Sequence, residues 1–400
     1  MVRLRDLVPP ANRAAAKNFA AALMCAVGVP AFARRRHRDL LAILMYHGVA
    51  DEPLSPACWH VLGLELYRRQ LEYVRKHFNV LPLEEALDRL AAGTLPARAV
   101  AITFDDGTRN LATHAVPVLR DLKLPAAMFL ATGPMGSDET LRPDRLWLAI
   151  ARTTATGVDL TELGLGARSL DGTANRGQVY ATAVERLKEL ADEQRIAVLD
   201  KILGALGYRD GGDSGPFRML SWVDAREIVS DGLVTLYPHS VTHPILARCT
   251  DDKVEREITD SCAAIERETG RAPRVFAYPN GRTQDFDARA KDVLRGRGVR
   301  WALTGAAGFA DRRRDPLELP RLAVGSDTSF DYFRLMVSGG LPRRYGGTRG
   351  MATAGAGSGV APTRQRARRH AVRPASGRRR TPRRARRRPR RGDYAARHRR

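Results

Sequence analysis

The run Ala101-Ile102-Thr103-Phe104-Asp105-Asp106-Gly107 is largely apolar and then delivers two carboxylates and a glycine. It reads as a buried strand that stops at a charged turn. Neighbouring side chains on a regular strand point to opposite faces. Asp105 and Asp106 can therefore address one site only where the strand ends and the backbone turns. Gly107, with no Cβ to clash, permits that turn. In a parallel barrel the C-terminal ends of the strands carry the active site. Taken alone, the motif reads equally well as an exposed Asp-Gly turn.

Outward from this run, similar apolar stretches recur at residues 41–46, 126–130, 233–237, 274–278, 301–304 and 322–324. They alternate little, as expected of strands buried on both faces of a parallel sheet. Between them the spacing turns helical. Leu64, Tyr67, Leu71, Val74 and Phe78 form one stripe, and Val254, Ile258, Cys262 and Ile265 another. The second stripe has Thr250 placed as N-cap, Asp251 and Asp252 in its first turn and Gly270 as a stop. Strands alternating with helices predict an α/β fold with right-handed crossovers. About seven such units suit a closed or nearly closed barrel, with a doubly wound sheet left open. The regularity lapses between Gly133 and Ser221. That stretch has a Gly-rich polar part at 157–177 and a helical part at 181–203. It reads as an insertion, about residues 134–220, that either packs on the barrel or shapes a substrate groove.

A second polar cluster, Tyr237-Pro238-His239-Ser240-Val241-Thr242-His243-Pro244, follows the run 233–237. Two His four apart can share one metal. The flanking prolines and β-branched Val241 and Thr242 predict a loop. The metalloprotease pattern, a Glu directly after the first His of a helical pair, is absent. Such a His pair alone is commonly structural. Beside the Asp pair it means more: two imidazoles, one ligating carboxylate and one spare. Two His and a carboxylate leave a position open on a divalent cation, as hydrolytic zinc sites require. The spare carboxylate, ionised beside the cation, can take a proton from water.

These residues resemble the polysaccharide deacetylase family. The likeness spans roughly residues 41–340. It rests on Thr103-Phe104-Asp105-Asp106-Gly107, on His239-Ser240-Val241-Thr242-His243-Pro244 and on Phe276-Ala277-Tyr278-Pro279-Asn280-Gly281. Leu44-Met45-Tyr46-His47-Gly48-Val49 and Leu319-Pro320-Arg321 support it. The resemblance implies a distorted (β/α) barrel of about seven parallel strands and deacetylation of an N-acetylated sugar in a polysaccharide or glycan precursor. It implies that Asp106, His239 and His243 bind a divalent metal, most simply zinc, with cobalt, manganese or nickel as alternatives. Asp105 would then be the base. Tyr278, Pro279 and Asn280 would face the substrate, a backbone N–H near Asn280 helping to stabilise the oxyanion. Ser240 and Thr242 would orient the histidine loop from behind.

The sequence also departs from the family pattern. Ala277 stands where many members have an Arg that supports the base. A Leu-x-His near the end, the usual source of the general acid, is missing: no His follows His243 before His370. His47, at the end of the first apolar run, is the candidate acid, with a structural role as the competing reading. Bulky Tyr237 and Pro238 replace small residues before His239, which would narrow the site or shift that His.

Charge divides the chain. The formal net charge is +23, but residues 343–400 hold 21 Arg against one acid, Asp393. That leaves +3 for residues 1–342, so the charge describes the tail and not the fold. The tail, rich in Arg, Pro, Ala and Gly, buries too little to order itself and is expected to be disordered. Its two aromatics, Tyr345 and Tyr394, give little base stacking. A loosely electrostatic contact with an anionic surface, no role, or a shifted reading frame account for it better than specific nucleic-acid binding. Two rival functions remain: a catalytically weak carbohydrate-binding relative, and a nucleic-acid binder acting through the tail. Residues 1–40 form a helical or targeting segment. Its uncharged run 19–33 is short for a membrane span and ends in Ala31-Phe32-Ala33, which has the form of a signal cleavage site. A packed helix ending at Pro30 is the alternative. Cytoplasmic, membrane-peripheral and exported placements all stay open. Four Cys without a CxxC pair point to neither a zinc knuckle nor a disulfide framework. The acetylated sugar polymer is the expected partner; the oligomeric state is not legible.

Overall fold

The computed structural model describes residues 10–209 and 211–341. The chain divides into Met1–Ala356 and Gly357–Arg400; the second unit, and the expectation of a disordered tail, lie outside the described residues.

The body is a barrel of seven parallel strands: β1 (Ala42–Tyr46), β2 (Ala99–Phe104), β3 (Ala126–Leu130), β4 (Val234–Pro238), β5 (Val275–Ala277), β6 (Trp301–Ala307) and β7 (Leu319–Ala323). Their hydrogen-bonded order is β5-β6-β7-β1-β2-β3-β4. This is chain order bent into a circle. The last strand pairs with the first, Leu44 opposite Leu322. The circle lacks a ladder only between β4 and β5. The short strand Asn79–Val80 pairs with the start of β2, off the circle. The fold is thus a distorted, nearly closed barrel, and the doubly wound alternative falls away.

Both faces of the strands are buried, which is why the sequence alternates so little. Ile43, Ala101, Ala127, Phe129, Tyr237, Ala277 and Leu303 pack in the interior. Leu44, Tyr46, Ile102, Phe104, Met128 and Leu130 face a larger core under the helices. Small and large inward residues alternate, so the barrel is filled and not a pore. Asp105 continues the inward series of Ala101 and Thr103 just past the end of β2.

Local differences from the sequence reading have local causes. Leu64–His77 is helical, but Phe78 is extended and lies outside it. Thr250 precedes Asp251–Thr269 at the N-cap position without a side-chain cap bond, and Gly270 closes it at φ 70°. β7 begins at Leu319 and not at 322, because a buried Arg interrupts its apolar pattern. The helical part 181–203 is two helices, Gly172–Leu187 and Asp192–Ala205, separated where Ala191 turns extended. The first of these reaches into the Gly-rich part, since burial of Val179, Tyr180 and Ala183 outweighs weak propensity. With Arg142–Arg152 these helices build a core of their own around Leu146, Leu199 and Phe217.

At the N-terminus, Pro30 does not end a helix. α1 (Pro10–Ala26) stops before Gly28, which adopts φ 81°, and Pro30 lies in the first turn of α2 (Val29–Arg36). Among the described residues no single helix is long and apolar enough to cross a membrane. The pair Ala15–Ala26 and Val29–Arg36, bent by 75°, passes by length and composition only.

Candidate active site

The polar residues collect at the C-terminal end of the barrel. Asp105 follows β2 on its inward face, with its N–H bonded to Tyr46 O at 2.9 Å. Asp106 reaches the same site because it takes up φ 75° itself. Sequence reasoning put the whole turn on Gly107; the left-handed conformation covers both residues. A Cβ at Gly107 would stand 2.9 Å from Leu130 Cδ2, so close packing adds to its φ of 87°. Six described non-glycine residues have positive φ, and four lie on the motif loops: Asp106, Ser240, His243 and Asn280. Such strain persists where surrounding contacts enforce it, and it concentrates at functional sites.

His239 leaves β4 and crosses the open seam of the barrel. Its Nδ1 lies 2.8 Å from Ala277 O on β5. A carbonyl only accepts, so Nδ1 carries the proton and Nε2 keeps its lone pair. That nitrogen is 3.6 Å from Asp106 Oδ1, and His243 Nε2 is 3.3 Å from the same oxygen. Asp106 Oδ1 is buried and has no hydrogen-bond partner. Asp106, His239 and His243 together offer three ligand atoms within 4.8 Å of one another, a group able to hold a metal ion. Burial lowers the pKa of both histidines, which keeps them neutral. Burial, then the charges of Asp144 and Asp105, pushes Asp106 up to about 8. The site thus resists a second bare carboxylate, and a cation at these atoms would remove that penalty. The donor set, the orphaned oxygen and the fixed tautomer fit a divalent metal.

Asp105 is held differently. Arg321 of β7 donates to both of its oxygens, Nη1 to Oδ1 at 2.7 Å and Nη2 to Oδ2 at 2.6 Å. Arg321 is 1% exposed. Its Nε donates to Thr304 O at 3.0 Å, and Nη1 also meets Thr103 Oγ1 at 3.3 Å. The register of β6 against β7 shifts between Leu303 and Ala307, and the guanidinium reaches the backbone there. Burial alone would raise Asp105; the Arg321 guanidinium overrides it and holds the carboxyl at about 2. An Arg thus reaches Asp105 from another strand, while Ala277 offers none. The sequence did contain it, in Leu319-Pro320-Arg321, as a charge inside an otherwise apolar strand, but gave it no role.

The histidine loop has its own anchor, also missed. Glu257, on the helix Asp251–Thr269, accepts from Val241 N and Thr242 N at 2.8 Å each and from Thr242 Oγ1 at 2.5 Å. Ser240 Oγ accepts from His243 N at 3.1 Å. Gly133 lets the loop approach, since a Cβ there would stand 2.8 Å from Val241 O. The one signal for Glu257 was an acid next to the apolar stripe of its helix.

His47 follows β1. Its Nδ1 is buried without a partner, and burial lowers its pKa to about 3 despite the nearby charge of Asp105. Its ring centroid lies 5.0 Å from Trp59 and 6.0 Å from His60, whose Nε2 is 2.9 Å from Asp144 Oδ1. Tyr237 does not crowd the site. Its ring packs on Phe129 inside the barrel and its hydroxyl donates to Glu84 Oε1 at 3.2 Å. The expectation for Tyr278 needs correcting. Its hydroxyl donates to Leu317 O and its ring stacks on Phe286 at 3.9 Å, so the side chain serves the outer core and not a substrate. Pro279 is buried, while Asn280 is half-buried at φ 58°. Among the described residues no acceptor takes the Asn280 N–H.

The family model for polysaccharide deacetylase matches residues 92–301. The poly-beta-1,6-N-acetyl-D-glucosamine N-deacetylase of Staphylococcus aureus is 33% identical over 73 residues, 18% of this chain and 25% of that protein. The match thus spans about a quarter of the length of this curated relative. The Streptococcus pyogenes deacetylase PplD, solved with acetate, has the same fold: TM-score 0.50 at 18% identity, covering 75% of this chain and 99% of that one. IcaB from Ammonifex degensii gives a TM-score of 0.49 at 20% identity, covering 75% and 97%. With the model match extending over more than half its length, the chain belongs to the polysaccharide deacetylase family.

Proposed function

We propose that this protein hydrolyses the acetamide of an N-acetylated amino sugar within a polysaccharide or glycan precursor, releasing acetate and leaving a free amine. The observation that carries this reading is the convergence of Asp106 Oδ1, His239 Nε2 and His243 Nε2 beside an Asp105 clamped by Arg321. Asp106, His239 and His243 would hold a divalent cation, zinc in the first instance. When bound, it supplies Lewis-acid polarisation to water and to a carbonyl oxygen.

The chain's own residues do the rest. Asp105, ionised and fixed by Arg321, takes a proton from the attacking water as the water oxygen bonds to the acetyl carbon. The Arg321 pair makes it a weak base, favouring correct placement and charge state over basicity. The Asn280 N–H stabilises the developing oxyanion. The leaving nitrogen needs a proton as the C–N bond breaks, and His47 relays to it the proton that Asp105 took from the water. Burial keeps His47 neutral at rest, so it acts by passing a proton on and not by storing one. Ser240, Thr242 and Glu257 keep the histidine loop in place.

The S. aureus relative's name points to β-1,6-linked N-acetylglucosamine as the first polymer to try. Incubation of the purified chain with acetylated glucosamine oligomers should release acetate. A chelator should stop the release and zinc restore it. Release that continues with chelator and with Asp105→Asn would overturn the assignment.

A further inference from the structure

We propose that α1 and α2 form a docking face for a membrane surface carrying anionic headgroups. One side of these helices is fixed to the body. Ala21 and Cys25 of α1 are buried against Leu335 of the helix Phe330–Ser338. Cys25 Sγ donates to Asp331 O at 3.3 Å, and Lys17 Nζ lies 3.8 Å from the Tyr332 ring centroid. Pro30 and Ala33 bury the inner side of α2, and Arg34 Nη1 bonds Tyr73 Oη at 2.6 Å.

The outer side is apolar and open. Phe19, Leu23 and Val27 follow one another at helical spacing and are 74%, 57% and 70% exposed; Phe32 of α2 is 71% exposed. Among the described residues only Val223 joins them as an exposed large hydrophobic. Isolated exposed apolar residues need no explanation, but four on one helix pair do. The surrounding charge selects the partner. Between Asp6 and Asp39 there is no acidic residue, against six Lys or Arg. Arg35 and Arg36 stand exposed at the end of α2. Lys17 and Arg34 turn to the body, but an apolar stripe ending in the exposed Arg35 and Arg36 matches an interface of acyl chains under anionic headgroups. A second copy of this chain would bring the same cations against themselves. α2 leads into the N-terminal start of β1, at the opposite end of the barrel from Asp105, Asp106 and His239. Docking through α1 and α2 therefore leaves the site facing solvent, where a glycan can enter.

The test uses the full chain with phosphatidylglycerol–phosphatidylcholine vesicles and with phosphatidylcholine alone. Wild type should co-sediment with the anionic vesicles and keep part of that binding at roughly 0.5 M salt, where headgroup charge is screened within a few ångströms. Leu23→Glu combined with Phe32→Glu should lower the residual binding by roughly tenfold or more, with an unchanged thermal midpoint. A Phe19→Trp variant should show fluorescence quenching by brominated acyl chains, a signal that headgroup contact by the Arg-rich tail cannot produce. Unchanged binding by the double variant, absence of vesicle binding, or a dimer dispersed by the same substitutions without vesicle binding would each overturn the proposal.

Discussion

Asp105 lies between two opposing effects: burial, which drives a carboxyl towards neutrality, and the Arg321 pair, which holds it ionised at about 2. Its folded pKa lies below the ordinary 3.8, so the stabilisation the pair gives is present above that value and is lost as pH falls towards 2. Arg321→Leu would leave the charge buried and unpaired. It should cost about 3–5 kcal/mol of stability and move the acidic limb of the activity profile to higher pH. Arg321→Lys should retain more stability but still weaken the two-point grip. Denaturant titration and a pH–rate profile check both outcomes. The Asp and His pairs were legible because they stand as polar residues at the ends of apolar runs. Arg321 was not, because its partner is 216 positions away and only the closed barrel brings β7 to the end of β2. Tyr278 misled for the opposite reason: its place in a motif says nothing about which way its ring points.

At the scale of elements, the histidine loop is the part under most strain. Ser240 and His243 both have positive φ, and no glycine relieves them. Glu257 enforces this shape from the neighbouring helix through three accepted hydrogen bonds. Glu257→Gln can no longer accept all three. Metal affinity is expected to fall about 10–100-fold while the fold stays intact, as for other groups that orient ligands; calorimetric metal titration beside circular dichroism reads this out. Element type was legible where periodicity was strong, as in Leu64–His77 and Asp251–Thr269. It failed at boundaries that tertiary contacts set. The turn at Ala191 and the early start of β7 are examples: each depends on packing or on an ion pair that local sequence does not contain.

For the whole molecule, chain order alone nearly fixes the topology, since parallel strands joined by right-handed crossovers wind into a circle, with a helix in every connection but the one from β6 to β7. The seam between β4 and β5 was not legible. β5 is only three residues long, and Pro238 of β4 has no N–H to donate. The His239–Ala277 bond crosses this seam at the site itself. A cation joining Asp106 after β2 to the loop after β4 would tie together distant parts of the barrel. Zinc at about a hundred times its dissociation constant should then add about 2.7 kcal/mol. This would appear as a higher thermal midpoint that chelator reverses and that Asp106→Ala lacks.

The proposed reaction depends most on a cation held by Asp106, His239 and His243 with Asp105 as a neighbour and not a ligand. Metal content of the purified chain, measured by mass spectrometry for wild type, Asp106→Ala and Asp105→Asn, tests this directly. The prediction is about one equivalent of divalent metal in wild type and in Asp105→Asn, the latter slowed by about a hundredfold to ten-thousandfold, and none in Asp106→Ala. Metal retained in Asp106→Ala, or lost in Asp105→Asn, would contradict it.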